Sequence, residues 1–303
     1  MTEVRQSTPH WPGELVGIDD RRRLFVRTAA PRDGSAEPGL FLHGFASTSV
    51  DFTDFLHEVR DVVAGDAVDL PGYGFSPPPP DGDYSIGAHA RSVAGLIEEC
   101  GRGPVHLGGN SLGGMIAIRV AANRPELVRS LTLFAPALPD LRAYVRAGLL
   151  ALPSVPFAGE RLLGPLLRRV PAERRVKIRY EHDFHDLSSL TRDRWAEAVA
   201  EQERHDALPH ADEQFFRTMR GAVADWVRQG RGSLWRDAER LTVPTLVVWG
   251  LGDKVLDPRL AVTAARRIPG ARLALIPDCG HMPQVEKPAE SAREFRALLT
   301  PPV

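Results

Sequence analysis

Ser111 lies in a setting that can make its hydroxyl a nucleophile. It is the centre of the run Gly109-Asn110-Ser111-Leu112-Gly113, between a predicted strand and a predicted helix. A serine that stands clear of the backbone needs a very sharp turn, and glycines flank such a turn because larger side chains would collide there. The N-terminal end of the following helix also favours a developing negative charge. Alone, the run is equally compatible with an ordinary glycine-rich turn, so the partners of Ser111 decide the interpretation.

A nucleophilic serine needs a base, and the base needs an acid that orients it. Asp253 and His281 each lie just after a predicted strand, at the edge where α/β proteins assemble their sites. Their chain order is serine, acid, histidine, as a nucleophile on a strand-to-helix turn requires. We therefore predict His281 as the base and Asp253 as its acid. Asp257 and, more strongly, Asp140 remain open as alternative acids.

Attack on a carbonyl also needs donors for the oxyanion that forms. The loop His43-Gly44-Phe45 follows a predicted strand and can direct the backbone N–H of Phe45 at the site. With the N–H of Leu112 it would form an oxyanion hole. We expect His43 itself to be a structural hydrogen-bonding residue, because it precedes the nucleophile and His281 already supplies a base.

The elements that would position these residues alternate between short apolar runs and amphipathic stretches, which indicates a mainly parallel α/β sheet. The predicted strands are 14–18, 24–28, 39–42, 66–70, 105–108, 129–134, 245–249 and 272–276, the first two forming a hairpin. The predicted helices are 84–100, 111–123 and a last one around 289–299.

The alternation stops between about Ala137 and Arg236, where amphipathic helical segments occur and no strand is predicted. A helical block that interrupts an α/β alternation is typical of an inserted cap. The sequence thus predicts a core in two parts, 1–136 and 237–303, with a cap at 137–236. Four apolar residues are candidates either for pocket lining or for the core of the cap: Leu149, Leu150, Phe157 and Leu163.

The composition is that of an ordinary globular protein. Of 303 residues, 43% are hydrophobic and 25% charged, and the net charge of -1 argues against broad attraction to nucleic acid or an anionic membrane. The two cysteines, Cys100 and Cys279, imply no disulfide framework. The first residues lack a signal-peptide pattern and no apolar run is long enough to span a bilayer. We therefore expect a cytoplasmic protein with a small-molecule substrate and neither nucleic acid nor membrane as partner; its oligomeric state stays open.

Four motifs together resemble the α/β-hydrolase superfamily: His43-Gly44-Phe45, the run Asp69–Ser76, Gly109–Gly114 and Gly280-His281-Met282-Pro283. The resemblance covers nearly the whole chain except the cap segment, and it is specific for the fold rather than for the substrate. It implies an eight-stranded sheet with a helical cap between the sixth and seventh strands.

Within that superfamily, a serine at position 111 argues against the epoxide hydrolases and haloalkane dehalogenases, which have an aspartate there. The Gly-Asn-Ser-x-Gly-Gly form is similar to that of hydrolases that cleave C–C bonds in meta-cleavage products. Those usually have Trp after the catalytic histidine, whereas this chain has Met282. The run also resembles carboxylesterases, lactonases and cofactor-free perhydrolases. Asp140 gains weight as an alternative acid, because some members take the acid from that position.

The predicted activity is hydrolysis of an ester-like bond through an acyl-enzyme, with no metal and no organic cofactor. Two alternatives remain: a C–C bond hydrolase, and a small-molecule sensor that keeps the triad. A sensor would turn over slowly and change partner binding with its ligand, whereas an enzyme would sustain many turnovers.

Several other groups are expected to play no catalytic part. His182 and His185 are spaced like residues on one helix face and could share a metal ion, but a solvated polar face is the simpler interpretation. Cys279 lies close to His281, yet no strand-to-helix turn presents it as a nucleophile. The cap arginines could bind a carboxylate, although a solvated helix face is the plainer expectation: Arg168, Arg169, Arg174 and Arg175.

Overall fold

The computed structural model describes residues 8–32, 36–140 and 159–300. Its centre is an eight-stranded sheet in the order β1-β2-β4-β3-β5-β6-β7-β8. Strands β1 and β2, and β2 and β4, pair antiparallel, and every other neighbouring pair is parallel. The strands are β1 (Gly13–Gly17), β2 (Arg23–Thr28), β3 (Glu37–Leu42), β4 (Val63–Val68), β5 (Val105–Asn110), β6 (Val128–Phe134), β7 (Thr245–Gly250) and β8 (Arg272–Ile276). The predicted sheet is confirmed.

The central strands are buried along their length because helices cover both faces of the sheet. All residues of β5 and β7 are buried, whereas β1 at the edge is mostly exposed. Such double burial is why these runs are continuously apolar rather than alternating. The flanking helices are α1 (Thr53–Val59), α2 (Ile86–Glu99), α3 (Leu112–Asn123), α9 (Arg259–Arg267), α10 (Pro283–Glu286) and α11 (Pro288–Leu299).

Two hydrophobic clusters hold the helices to the sheet. One includes Met115 and Ile116 of α3 with buried residues of α2 and α9. The other is aromatic and surrounds Phe41 of β3, whose ring lies 5.3 Å from Phe55 and 6.1 Å from Phe295. Edge-to-face packing of such rings adds to the free energy gained from burying them.

Most element boundaries agree with the sequence predictions to within two residues. Helix α2 is shorter than predicted because the Ser85 side chain accepts from the N–H of Ala88 at 3.1 Å and caps the helix there. Strand β4 lies earlier than the predicted 66–70, since its ladder to β3 begins at Val63 and ends at Val68. The short helices α1, α9 and α10 were not predicted at all.

Between β6 and β7, the described residues form helices and no strand, as the sequence predicts. We call residues 159–240 the helical insert. Its α-helices are α4 (Gly164–Leu167), α5 (Ala172–Asp183), α6 (Arg192–Asp206), α7 (Ala211–Val227) and α8 (Leu234–Ala238). The prediction that His182 and His185 share one helix is wrong, because α5 ends at Asp183. Within the described residues, no helix is both long and apolar enough to span a membrane.

Candidate active site

A cavity of about 450 Å³ lies between the carboxyl ends of the strands and the helical insert. Ser111, Phe45 and His281 line it from the core side. Most of its exposed surface is apolar, and Phe215 and Phe216 of α7 contribute to it, although many of the lining residues carry polar or charged side chains. A concave site with apolar surface and polar groups directed into it is the usual form of a small-molecule site.

Ser111 occupies the turn between β5 and α3 in a conformation that few residues adopt. Its φ of 51° and ψ of -110° place a non-glycine residue on the positive-φ side. The strain persists because the surrounding backbone fixes it, and such strain is concentrated at functional sites. The Ser111 N–H donates to the carbonyl of Phe134 at 3.0 Å, and its own carbonyl accepts from Ala137 at 3.0 Å.

The flanking glycines are required by close approach. A Cβ at Gly109 would lie 2.3 Å from the carbonyl oxygen of Gly113, and one at Gly113 would lie 2.3 Å from that of Leu42. No side chain fits at either position, so the turn can be this sharp only with glycine there. The structure thus has the geometry that the sequence predicts around Ser111.

His281 and Asp253 are brought together by the loops after β8 and β7. Nδ1 of His281 lies 2.9 Å from Oδ2 of Asp253, and both residues are buried. The other oxygen of Asp253 accepts from the N–H groups of Val255 at 2.8 Å and Leu256 at 2.9 Å. These bonds fix the carboxylate, which in turn orients the imidazole and directs its Nδ1 proton away from the cavity.

The electrostatic surroundings of His281 favour its protonated form. Burial alone lowers the pKa of an imidazole, but the charge and hydrogen bond of Asp253, with the charge of Asp183, outweigh burial and raise the pKa of His281 above 6.5. An imidazole whose protonated form is stabilised in this way can accept a proton and return it, as general acid–base catalysis requires.

The two alternative acids lie elsewhere. The Asp257 carboxylate binds the side chain of Arg259 at 2.9 Å. Asp140 is partly exposed and is not among the described residues that line the cavity. Of the three candidate acids, the structure pairs Asp253 with His281.

The loop His43-Gly44-Phe45 packs against the Ser111 turn. A Cβ at Gly44 would lie 2.9 Å from Oδ1 of Asn110 and 3.5 Å from Cβ of Ser111. Leu112 is the first residue of α3, so its N–H is among those that a helix leaves free at its start. The N–H of Leu70 donates to Nε2 of His43 at 3.0 Å, so Nδ1 carries the proton to the carbonyl of Gly44 at 2.7 Å. His43 is therefore a buried hydrogen-bonding residue, as expected.

Asn110 links the serine turn to the histidine loop. Its side-chain nitrogen donates to the carbonyls of His281 at 3.1 Å and Phe134 at 3.0 Å. Asn110 is not among the site residues that the sequence predicts, and its only signal there is its place beside the predicted nucleophile.

A cluster of charged groups on the cavity wall was also missed. Arg179 and Asp183 of α5 face Asp51 of the core, and the Arg179 guanidinium donates to the carbonyl of Ala46. Burial raises the pKa of Asp51 to about 7, although the Ser47 hydroxyl and the Arg179 charge act to lower it. These residues are more than a hundred positions apart in the chain, so no sequence spacing points to them.

The remaining sequence candidates lie as follows. His182 is on the surface of α5 and its Nδ1 lies 2.9 Å from the carbonyl of Ile178, while His185 is 3.8 Å from Asp278. Cys279 is fully buried, which raises the pKa of its thiol well above the usual range. Among the candidate lining residues, Leu163 is not in the cavity wall. The others lie outside the described residues: Leu149, Leu150 and Phe157.

Comparison with known proteins gives one family. The sequence profile of the α/β-hydrolase fold matches residues 40–288. A monoacylglycerol lipase, abhd6-B of Xenopus laevis, is 28% identical over 91% of this chain and 79% of its own length. A 2-hydroxy-6-oxononadienedioate/2-hydroxy-6-oxononatrienedioate hydrolase of Cupriavidus pinatubonensis is 28% identical over 94% of both chains. The crystal structure of Cfl2 from Burkholderia cenocepacia superimposes with a TM-score of 0.79 at 21% identity, over 95% of each chain.

Proposed function

The chain belongs to the α/β-hydrolase fold family, and we propose that it is a serine hydrolase that cleaves an ester-like bond through an acyl-enzyme. The observation that carries this proposal is the 2.9 Å contact of His281 with Asp253 beside a cavity that also holds Ser111. The lipase among the relatives supports an ester as substrate class.

In the proposed reaction, His281 removes the proton of Ser111 as its oxygen attacks the carbonyl carbon. Asp253 holds the imidazole in the required tautomer and stabilises the imidazolium. His281 then returns the proton to the leaving alcohol, which departs as the acyl-enzyme forms. Water activated by His281 attacks the acyl-enzyme and releases the acid. None of these steps needs a metal or an organic cofactor.

We assign the oxyanion hole to the backbone N–H groups of Phe45 and Leu112. The proximity of Gly44 to Ser111 and the start of α3 directly after Ser111 support this assignment. Hydrogen bonds from two such donors strengthen as negative charge develops on the carbonyl oxygen, so they lower the barrier rather than merely bind substrate.

We propose that the substrate is small or medium in size, partly apolar and uncharged near the scissile bond. Most of the exposed surface of the cavity is apolar, and the three arginines in its described part are already engaged. Arg175 pairs with Asp206, Arg168 pairs with Asp212 at 2.6 Å, and Arg179 binds a backbone carbonyl. We propose that a cap, bounded at 137–236 by the sequence pattern and including most of the helical insert, sets access and substrate size.

Cleavage of a C–C bond is the second candidate. The dienedioate hydrolase relative matches over nearly its whole length, which favours this reading. Met282, which lies in the cavity wall where meta-cleavage hydrolases usually have Trp, argues for the ester instead.

A substrate panel tests the proposal. Neutral p-nitrophenyl esters, lactones and a meta-cleavage dienoate should be compared at equal concentration with wild type and with Ser111→Ala. We expect sustained turnover of esters that is lost in folded Ser111→Ala. Faster turnover of the dienoate than of the esters would indicate a C–C bond hydrolase instead. Undiminished ester turnover by Ser111→Ala would refute the serine mechanism.

A further inference from the structure

A buried carboxylate joins the loop of His281 to the helical insert. Glu286 is only 7% exposed. Its Oε2 accepts from the N–H of Gly280 at 2.6 Å, and its Oε1 accepts from that of Asp186 at 2.9 Å. The N–H of His185 lies 3.1 Å from both oxygens. One side chain therefore binds the residue before His281 and the segment that follows α5.

A lysine binds the same segment from the loop of Asp253. The ammonium of Lys254 donates to the carbonyls of Phe184 at 2.9 Å and Glu181 at 3.1 Å. These carbonyls belong to the end of α5, where the helix dipole favours a positive charge. The acid loop and the histidine loop are thus both fixed to residues 181–186 of the insert.

The segment also contacts His281 directly. The N–H of His281 donates to the carbonyl of Asp183 at 2.6 Å. Two glycines permit this approach: a Cβ at Gly280 would lie 2.4 Å from the same carbonyl oxygen, and one at Gly252 would lie 2.2 Å from Nδ1 of His185. A larger residue at Gly280 would push the backbone of the insert away from the histidine loop, and one at Gly252 would displace the side chain of His185.

We propose that Glu286 and Lys254 are positioning residues that lock the end of α5 onto the loops of His281 and Asp253. The insert then sets the alignment of the base with its acid, besides shaping the cavity. The inference rests on the proposed serine mechanism. Its physical basis is that charge-assisted hydrogen bonds hold a loop firmly, and that small displacements of a catalytic group cost large factors in rate.

The first test is Glu286→Gln, which keeps the shape of the side chain but directs an NH₂ group at a backbone donor. We expect kcat for p-nitrophenyl acetate to fall about tenfold or more while KM changes by less than about twofold. The matched control is Glu294→Gln, in the following helix, where the carboxylate pairs with the exposed Arg293. It should keep wild-type kinetics.

The second test separates positioning from simple electrostatics. Asp253 and Asp183 are the charged groups that raise the pKa of His281. In Lys254→Met, removal of a positive charge can by itself only raise this pKa, whereas loss of alignment with Asp253 lowers it. We expect the acid limb of kcat/KM to move to lower pH and kcat to fall about fivefold. Lys177→Met, on the exposed face of α5, should change neither.

Unchanged kcat in both folded variants would overturn the positioning role. A loss of activity that disappears when activity is divided by the fraction of folded protein would overturn it too. Should Glu286→Gln fail to fold, Lys254→Met decides, and an upward shift of the acid limb with full kcat contradicts the proposal. Ser111→Ala judges the proposed function separately. If it is inactive while both positioning variants are fully active, only the positioning role fails.

Discussion

The carboxyl edge of the sheet and the helical insert hold their residues by different means. At the sheet edge, close backbone contacts around Gly109 and Gly113 hold Ser111 in its positive-φ conformation. In the insert, side chains are held by ion pairs between helices, such as Arg175 with Asp206. The first arrangement rests on backbone atoms, including those of Leu42 and Phe134, and the second rests on side-chain charges. We infer that the core supplies the chemistry and the insert supplies selectivity and alignment.

The largest expected effect tests the core. In Asp253→Asn, kcat for a p-nitrophenyl ester should fall by about 10³ to 10⁴, because the amide no longer fixes the tautomer of His281 or stabilises its charge. Steady-state kinetics on the folded variant measures the loss. Asp257→Asn and Asp140→Asn should each stay near wild type. A large loss in Asp140→Asn with activity kept in Asp253→Asn would reassign the acid.

A second effect tests how the insert is anchored to the core. Arg119 of α3 binds Asp225 of α7 at 2.8 Å and also pairs with Asp237 of α8, and all three are buried. Arg119→Met removes the cation between two buried carboxylates and should lower the free energy of unfolding by about 3–5 kcal/mol. Urea denaturation measures this.

The matched control for that anchor is Arg124→Met. Arg124 follows the same helix but pairs with Glu98 and Glu126 in solvent, where ion pairs contribute little. It should leave the denaturation midpoint nearly unchanged. Equal shifts in the two variants would mean that the buried network does not anchor the insert.

A smaller effect tests selectivity. Phe215 of α7 lines the cavity, and its ring lies 4.7 Å from that of Phe45. Phe215→Ala should lower kcat/KM about tenfold for p-nitrophenyl hexanoate, because an apolar acyl chain loses its contact, and by less than about threefold for the acetate. Phe75→Ala, whose ring is exposed outside the cavity wall, is the control. An equal loss for both esters would contradict a role in selecting the acyl chain.

A pH-dependent effect concerns Asp51, where core and insert meet. Burial raises its pKa to about 7, so the folded protein keeps this proton longer than the unfolded chain does. The stabilisation is fully present below about pH 4 and is lost as pH rises through 7. In Asp51→Asn, the fall in unfolding free energy between pH 5 and pH 8 should shrink by on the order of 2 kcal/mol. Asp20→Asn, at an exposed position, should keep the wild-type pH dependence.

The same contrast explains what the sequence could predict. The turn at Ser111, the strand before it and the order of Asp253 and His281 are encoded in short contiguous runs, so they could be read directly. The position predicted for strand β4 was wrong by two to three residues, because its pairing with β3, rather than its own apolar residues, sets its ends. Glu286 could not be found, since its function depends on backbone groups about a hundred positions away.

Covalent labelling shows whether Ser111 is the nucleophile. A fluorophosphonate should react once per molecule, abolish esterase activity, and place its mass on the peptide that contains Ser111, because only an activated serine hydroxyl attacks it rapidly. Ser111→Ala should stay unlabelled under the same conditions. Labelling of another residue, or full activity in protein that is completely labelled at Ser111, would contradict a nucleophilic role for Ser111.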